Sequence, residues 1–220
     1  MCGRFSQTRG LETVKKHFQV STHTGDVLPR FNIAPSQDIA VIKQQDPRVL
    51  DSARWGLIPC WMKDPEKKRG FINARFESIR EKPSFAESFR RRRCLIPADS
   101  FYEWKREGRQ KRPFRILRHD DGLFAFAGIW DSCRIGSGRV DTVAIVTTEA
   151  DSFMKAVHGR MPLMLSRENE SAWISDGSAD ELYRRIIETN SVPRRMYEIS
   201  ADVNNPAHDD ERVIQPYERN

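Results

Sequence analysis

The second residue, Cys2, carries the most reactive pair of groups that this sequence can offer. The chain begins Met1-Cys2-Gly3, and removal of Met1 would leave a terminal cysteine with both an α-amine and a thiol. These groups titrate near about 8 and about 8.5, so both nucleophiles should be partly available at neutral pH. If Met1 stays in place, the nitrogen of Cys2 is an amide and only the thiol remains. The alternative is that Cys2 is an ordinary small hydrophobic residue.

The segment 71–77, FINARFE, places polar residues inside an apolar context, where each is costly unless it has a partner. Alternate positions of an extended chain point to one side, so Asn73, Arg75 and Glu77 should project from a single face. Such a face can bind a ligand through hydrogen bonds, or it can be a solvated strand face.

Glu103 and His158 are the residues whose types suit proton transfer. Glu103 stands between aromatic residues in FYEW, and loss of hydration there would raise the pKa of its carboxyl group toward neutrality. His158 follows a helix-like run and precedes Gly159, which predicts a helix-to-strand turn, and histidine is the side chain that ordinarily titrates closest to neutrality. The alternatives are a Glu103 exposed on a strand and a His158 that makes only structural hydrogen bonds.

Aromatic and cationic residues are interleaved in a way typical of proteins that bind single-stranded nucleic acid, because bases stack on aromatic rings and Arg binds phosphate. They occur in 31–37 (FNIAPSQ), in 55–61 (WGLIPCW) and in the run Arg90–Arg93. We expect Trp55 in the core and Trp61 in an exposed loop. The Arg run could equally be a solvated helix end.

Periodicity predicts the elements that must hold these residues. Apolar residues at helical spacing indicate two core-facing helices, one through Leu11, Val14 and Phe18 and one through Leu182, Ile186 and Ile187. Further helices are predicted over 84–92, 150–158 and 166–174, the last capped by Ser166. Runs rich in Val, Ile and Phe predict strands over 38–44, 112–118, 122–130 and 139–148. The mixture favours one α+β domain with a strongly bent sheet or barrel flanked by helices.

Composition sets broader limits. The 220 residues include 37 Lys+Arg and 31 Asp+Glu, a formal net charge of +6 that favours polyanionic partners without requiring them. The length fits one domain, 1–220, in which 207–220 could form a tail. No apolar stretch approaches the about 18 residues of a membrane span and no signal peptide is evident, so a cytoplasmic protein is expected. The four cysteines, Cys2, Cys60, Cys94 and Cys133, form no Cys-x-x-Cys pair, and we expect reduced thiols, no metal and no cofactor.

In order along the chain, MCGRF, FNIAPSQ, WGLIPCW, INARFE, ADSFYEW and HGRMP resemble the motifs of the SOS response-associated peptidase family, whose members process abasic sites in DNA. The resemblance runs from Cys2 to about residue 203, and the ordered set is much more specific than any single motif. It implies a single α+β domain whose bifurcated, barrel-like mixed β-sheet core is surrounded by helices. It also implies a positively charged cleft for single-stranded DNA that contains abasic sites, in a monomer associated with the nucleoid at DNA damage.

Residue by residue, the resemblance implies a covalent nucleophile at Cys2 and catalytic roles for Asn73, Glu103 and His158. The same matching implies DNA contacts at Arg4, Asn32, Trp61, Arg75 and Arg160. The implied reaction joins the amine and thiol of Cys2 to the aldehyde of an opened abasic sugar as a thiazolidine ring, which protects the strand from breakage. The family name also implies a peptidase activity, which we interpret as self-removal of Met1.

Two other functions stay open at this point. A terminal cysteine also begins N-terminal-nucleophile amidohydrolases, in which the α-amine acts as the base, although the sequence shows no glutamine-binding set. A non-catalytic reader of modified bases would need only the aromatic and Arg residues, and its binding would be reversible and salt-sensitive.

Overall fold

A computed structural model of the protein describes residues 2–24, 27–43, 47–175 and 177–217, and its secondary structure is mainly β. The strands of this part are β1 (Phe5–Gln7), β2 (Thr22–His23), β3 (Arg30–Ile33), β4 (Asp38–Lys43), β5 (Val49–Trp55), β6 (Asn73–Arg75), β7 (Arg93–Ala98), β8 (Ser100–Glu107), β9 (Gln110–Arg118), β10 (Phe124–Ile135), β11 (Gly138–Glu149), β12 (Arg160–Pro162), β13 (Met164–Leu165) and β14 (Arg194–Glu198). The helices are α1 (Leu11–Phe18), α2 (Ala86–Arg91), α3 (Arg167–Trp173) and α4 (Ala179–Thr189), with 3-10 turns at Pro65–Lys67, Phe76–Ser78, Met154–Ala156, Ala201–Asn204 and Glu211–Ile214.

Five strands close into a barrel in the order β11-β10-β7-β4-β5. The neighbours along this path are antiparallel, but the barrel closes through a parallel contact between β5 and β11, with Trp55 opposite Val143. Strand β11 also pairs with the short strands β6 and β12. Since β6 and β12 begin at Asn73 and Arg160, the barrel wall itself positions two segments that the sequence marks as chemical.

A second sheet, in the order β14-β9-β8-β1-β3, packs on the barrel. The apolar layer between the two includes Phe5, Trp55, Phe101 and Phe126. A separate apolar cluster joins the barrel to the helices and includes Val14, Phe89, Trp173 and Leu182. This arrangement confirms the predicted single α+β domain, with a barrel-like mixed β core surrounded by helices.

The predicted helix stripes are confirmed in α1 and α4, with one exception. Leu182 and Ile186 are buried, but Ile187 is 63 % exposed. Consecutive helix residues are rotated by about 100°, so a residue next to the centre of the stripe can point to solvent. Within the described ranges, no helix is long and apolar enough to cross a membrane.

The helix predicted over 150–158 is wrong. Only the 3-10 turn Met154–Ala156 forms there. The backbone N–H of Ala150 donates to the carbonyl oxygen of Gly159 at 3.1 Å, which closes the segment into a loop. Pairing between the strands on either side therefore prevails over local helix propensity, and this loop is what holds His158.

The Arg90–Arg93 run divides between surface and core. Arg90 and Arg91 are exposed and form ion pairs with Glu87 on the same helix. Arg93 is only 5 % exposed and anchors the ends of two helices through its guanidinium group. It donates to the carbonyl oxygens of Phe89, Arg90, Trp173, Ser175 and Gly177. These bonds offset the cost of burying its charge, so Arg93 is a structural residue.

The C-terminal segment folds back over the second sheet. In the described part of the segment expected as a tail, 207–217, Val213 is fully buried. Asp209 accepts hydrogen bonds from the backbone N–H groups of Phe31 and Asn32, at 2.5 and 2.8 Å. The segment therefore covers β3, close to the chain's beginning.

Candidate active site

Cys2 lies in the apolar layer between the second sheet and the barrel. Its side chain is fully buried, and its Sγ lies 3.9 Å from the carbonyl oxygen of Arg4. Burial, reinforced by the negative charge of Glu103, raises the pKa of the Cys2 thiol far above its ordinary value. In the chain that still carries Met1, burial therefore keeps this thiol protonated, whereas the partial ionisation expected from the sequence concerns Cys2 as the first residue. The sulfur needs a base that accepts its proton as it reacts.

Asn73 holds the main chain of Cys2 in place. It begins β6, opposite Ile145 of the barrel, and its Nδ2 donates to the carbonyl oxygen of Cys2 at 2.9 Å. Its Oδ1 is buried and has no hydrogen-bond partner among the described residues. A buried acceptor without a partner is costly, so this oxygen is ready to accept from a ligand hydroxyl or an amine.

The common polar face predicted for 73–77 extends over only part of the segment. Strand β6 ends at Arg75, and the 3-10 turn Phe76–Ser78 follows directly. The expectation of three alternating residues on one extended face is therefore wrong for Glu77. The turn directs its carboxylate to Arg160 instead, with both Nη atoms 3.0 Å from its oxygens.

Glu103 faces the barrel from β8. It lies two residues after Phe101, so both side chains share the face that packs in the apolar layer. Glu103 is 3 % exposed, which excludes the alternative of a solvated strand face. Burial raises the pKa of its carboxyl group, and the nearby His158 partly offsets this effect. The aromatic context in the sequence predicted the same direction.

His158 lies in the loop between Met154–Ala156 and β12. The backbone N–H of Arg160 donates to His158 Nδ1 at 2.9 Å. His158 Nδ1 also lies 3.1 Å from the carbonyl oxygen of Arg160, so both backbone groups of Arg160 hold the ring. The shorter contact with the N–H group favours a neutral ring with its proton on Nε2, because an accepting nitrogen must carry a lone pair. Because His158 also interacts electrostatically with Glu103, the two proton-transfer groups lie in the same site.

Arg4 and Asn32 bind each other and the C-terminal segment. Arg4 Nη1 donates to Asn32 Oδ1 at 2.8 Å and to the carbonyl oxygen of Val203 at 2.6 Å. Asn32 has no exposed surface, and its Nδ2 lies 2.8–3.2 Å from the carbonyl oxygens of Val203, Asn205 and His208. The amide expected to contact DNA is thus engaged within the protein, where it orients Arg4.

Trp61 and Arg75 are the expected DNA contacts that are open to solvent. Trp61 is 60 % exposed while Trp55 is fully buried, which confirms both expectations. Arg75 is exposed, and its side chain makes no hydrogen bond or ion pair with the rest of the described chain. Both side chains are free to contact a ligand.

The loop that carries Trp61 is closed at its base. A backbone bridge joins Leu57 to Phe71, and Gly56 packs directly on Gly70. A Cβ on Gly70 would lie 2.0 Å from the carbonyl oxygen of Gly56, which no side chain permits. Gly56 itself has φ +143°, a conformation that favours glycine. The close contact fixes the chain just ahead of Asn73.

Sequence reasoning missed Asp99, which anchors β1. Asp99 is 3 % exposed and accepts hydrogen bonds from the Ser6 hydroxyl and from both the hydroxyl and the backbone N–H of Thr8, the last at 2.6 Å. Arg115 lies 3.8 Å away on β9. The sequence did show a carboxylate and two hydroxyl residues in or beside apolar segments. It did not show that these segments lie next to each other, so the hydrogen bonds between them could not be predicted. Through β1, Asp99 places Cys2 beside Glu103.

The remaining thiols and carboxylates show no second reactive cluster. Across the described ranges, no group of three or more His, Cys, Asp or Glu residues could hold a metal ion. Cys94 and Cys133 are buried, Cys60 is exposed, and all are free thiols. Cys60 is therefore a reference thiol for the reactivity of Cys2.

The assembled site combines a buried sulfur nucleophile, a carboxyl group with a raised pKa, a histidine held by the backbone of Arg160 and an amide. Such a set can move protons at an electrophilic carbon while sulfur attacks it. It is supported from the barrel by β6 and β12 and from the second sheet by β1 and β8. Four separate strands or loops thus bring together the residues that the sequence singled out.

Comparison with known proteins gives matches over nearly the whole chain. The sequence model of the family described as SOS response associated peptidase (SRAP) matches residues 1–206. The chain is 38 % identical to the abasic site processing protein YoaM of Bacillus subtilis, covering 97 % of each chain. It is 28 % identical to the abasic site processing protein YedK of Escherichia coli, covering 98 % of this chain and 100 % of that one. A crystal structure of a protein from Bacteroides thetaiotaomicron matches with a TM-score of 0.87 at 25 % identity, covering 98 % of this chain and 100 % of that one.

Proposed function

Since this chain belongs to the SOS response associated peptidase family, we propose that it processes abasic sites in DNA, as its relatives are named for doing. We further propose that it does so by forming a covalent crosslink through Cys2 in single-stranded DNA. The observation that carries this proposal is that Asn73 binds the main chain of buried Cys2, while Glu103, whose charge acts on the Cys2 thiol, also interacts with His158.

The proposed reaction starts from Cys2 as the first residue, after loss of Met1. Its amine adds to the C1′ aldehyde of the opened abasic sugar and expels water, which leaves a Schiff base. The Cys2 sulfur then attacks the same carbon, its proton passes by way of a base to the ring nitrogen, and a thiazolidine results. An iminium at C1′ acidifies the C2′ hydrogens and invites β-elimination, so its conversion to a thiazolidine protects the strand.

Burial decides which residue acts as the base. Burial raises the pKa of the Cys2 thiol and keeps it protonated in the chain with Met1, and among the charges that act on this pKa that of Glu103 has the largest effect. The pKa of Glu103 is itself raised, so its carboxylate is a stronger base than an exposed one and a better acceptor for the thiol proton. Glu103 also suits opening of the sugar hemiacetal by proton transfer.

His158 and Asn73 complete the proposed reaction. His158 presents a protonated Nε2 when neutral, which suits it to donate a proton to the sugar oxygen and to take it back on reversal. Asn73 fixes the Cys2 main chain through Nδ2, and its unpaired Oδ1 can accept from the amine or a sugar hydroxyl. Both roles depend on short contacts with Cys2 or its substrate.

We propose that DNA is held by Trp61, Arg75, Arg4 and Arg160. Exposed Trp61 can stack on a base, and exposed Arg75 can bind phosphate without losing an internal partner. Arg4 and Arg160 already have internal acceptors, so their contribution is a fixed positive charge rather than a freely moving contact. Asn32 acts only through Arg4.

Removal of Met1 is the step on which the proposal depends. We propose that the protein cleaves it itself, with the Cys2 thiol as nucleophile and Glu103 as its base, in line with the peptidase in the family's description. The sulfur would attack the Met1 carbonyl carbon, and the peptide C–N bond would break as the Cys2 nitrogen takes up a proton. Water would then hydrolyse the resulting thioester, which releases methionine and restores the thiol.

Intact-mass spectrometry before and after mixing with abasic single-stranded DNA tests both parts. The wild type should lack Met1 and gain the mass of the oligonucleotide less one water, and Cys60→Ala, the matched control at an exposed thiol, should do the same. Cys2→Ala should form no denaturation-resistant adduct. An adduct of normal yield in Cys2→Ala would refute the crosslink. In a host without methionine aminopeptidase activity, retention of Met1 by the wild type would refute self-cleavage, and complete loss of Met1 from Glu103→Ala would refute Glu103 as its base.

A further inference from the structure

The carboxylate of Glu77 has more contacts than a surface ion pair requires. Besides both Nη atoms of Arg160, it accepts from the backbone N–H of Glu149 at 2.9 Å and from the Thr148 hydroxyl at 3.4 Å. The same contacts hold the pKa of Glu77 below its usual range, against the opposing effect of its partial burial. Glu77 therefore joins β11 to the first residue of β12.

Arg160 is fixed as firmly from its other side. Its Nη2 also donates to the Thr147 carbonyl oxygen at 2.9 Å and lies 3.2 Å from the Thr147 hydroxyl. Only 18 % of its side chain is exposed. A bidentate guanidinium–carboxylate pair with these added bonds has a single favoured geometry, because the planar fork cannot rotate without losing several contacts at once.

The backbone of Arg160 is what sets the imidazole of His158. Its N–H group donates to His158 Nδ1 at 2.9 Å. The intervening Gly159 adds no steric restraint of its own, since a Cβ there would meet nothing within 4 Å. The orientation of the ring therefore depends on where the peptide groups of Arg160 point. The pairing of Arg160 with Glu149 and the clamp on the Arg160 side chain set that direction together.

We propose that Glu77 is a positioning residue for His158, acting through the side chain and then the backbone N–H of Arg160. The carboxylate fixes Arg160 on β11, and the fixed peptide N–H donates to Nδ1. The ring proton is thereby kept on Nε2. The proposal rests on the proposed function only for the step that His158 performs. The arrangement of the ring is a property of the protein without DNA.

A direct readout of the ring tests the first part without any reaction. Long-range proton–nitrogen NMR of protein labelled with ¹⁵N-histidine reports the protonation of each ring nitrogen, and His158→Gln identifies the His158 signal among the five histidines. At a pH where the ring is neutral, wild type should show Nδ1 unprotonated and Nε2 protonated. Glu77→Ala and the milder Glu77→Gln should show a mixture of tautomers. Glu81→Gln, which removes an exposed carboxylate from the adjoining turn, should match wild type.

Crosslinking kinetics test the consequence. Glu77→Gln should lower the single-turnover rate about 10- to 100-fold, the range expected for a displaced catalytic group, and should shift the pH profile of that rate. Binding of abasic DNA should not weaken, because Arg160 stays and loses its negative partner. A merely structural role would instead lower stability with an unchanged pH profile.

The outcomes separate this inference from the proposed function. A wild-type tautomer in both Glu77 variants overturns the inference, whatever the kinetics are. Mixed tautomers with an unchanged rate and pH profile overturn the catalytic part. If wild type forms no adduct at all, the proposed function fails while the NMR experiment still decides whether Glu77 sets the ring.

Discussion

Replacement of Asp99 by Ala should detach β1, and with it Cys2, more than it unfolds the protein. The Ser6 hydroxyl donates to the Asp99 carboxylate, and both residues are buried. Because the acceptor is charged, this hydrogen bond contributes about 1.5–3 kcal/mol to stability. The two bonds from Thr8, which is partly exposed, contribute about 0.5–1.5 kcal/mol each. Arg115 would also lose a buried counter-charge. We therefore expect a loss of at least about 3 kcal/mol.

Two measurements separate global from local loss. Urea unfolding followed by fluorescence of the five Trp residues reports global stability, and hydrogen exchange of the Phe5–Gln7 amides reports β1. The loss of protection from hydrogen exchange should be larger for the amides of β1 than for those of β10. Crosslinking by Asp99→Ala should slow even under conditions where the protein is fully folded, because Cys2 is then poorly held beside Glu103.

Asp121→Ala is the matched control, since that carboxylate is 54 % exposed and pairs with Arg195 at the surface. It should cost less than about 1 kcal/mol and leave crosslinking unchanged. If Asp99→Ala loses no more stability than Asp121→Ala, or crosslinks at the wild-type rate, the view that Asp99 anchors the nucleophile is refuted.

Two further substitutions have outcomes that follow from burial. Burial raises the pKa of the Glu103 carboxyl above its value in the unfolded chain, which is about 4.3. The carboxyl therefore contributes its full free energy of stabilisation only at pH below about 4.3. This contribution is lost as pH rises through the pKa of the folded state. Glu103→Gln should thus gain stability relative to wild type in calorimetry as pH rises above about 4.3, while losing crosslinking; a stability difference independent of pH would contradict this. Trp61→Ala should leave the melting temperature unchanged and weaken binding of single-stranded DNA by about 1–3 kcal/mol in fluorescence anisotropy, since the ring is exposed and available for stacking. Unchanged affinity would remove Trp61 from the DNA surface.

Much of the fold follows from local sequence patterns. The strands β4, β9, β10 and β11 and the helices α1 and α4 lie where period-two and helical patterns predicted them. The closure of the barrel was not predictable in detail, because the parallel contact between β5 and β11 joins segments far apart in the sequence. The same holds for the loop at 150–158, where a backbone bond between its ends replaces the expected helix.

The site was predictable in its members but not in their environments. Residue type and context singled out Cys2, Asn73, Glu103 and His158, and the fold gathers them. The exposure of Glu103 was open from sequence, since a strand residue can face either side. The protonation of the Cys2 thiol could not be foreseen, because its burial comes from the packing of two sheets. Asn32 was assigned to DNA although its amide serves the protein's own chain.

The contact of Gly56 with Gly70 separates the loop between these glycines from the strand β6 that follows it, so that the loop can change without moving the strand. The residues between them carry Trp61 and most of the loop's exposed surface, while Asn73 follows directly after the contact. Because backbone meets backbone at the base, the tip can lengthen, shorten or change composition without altering where the chain re-enters the barrel wall. The exposed surface around Trp61 can therefore change while Asn73 keeps its place beside Cys2.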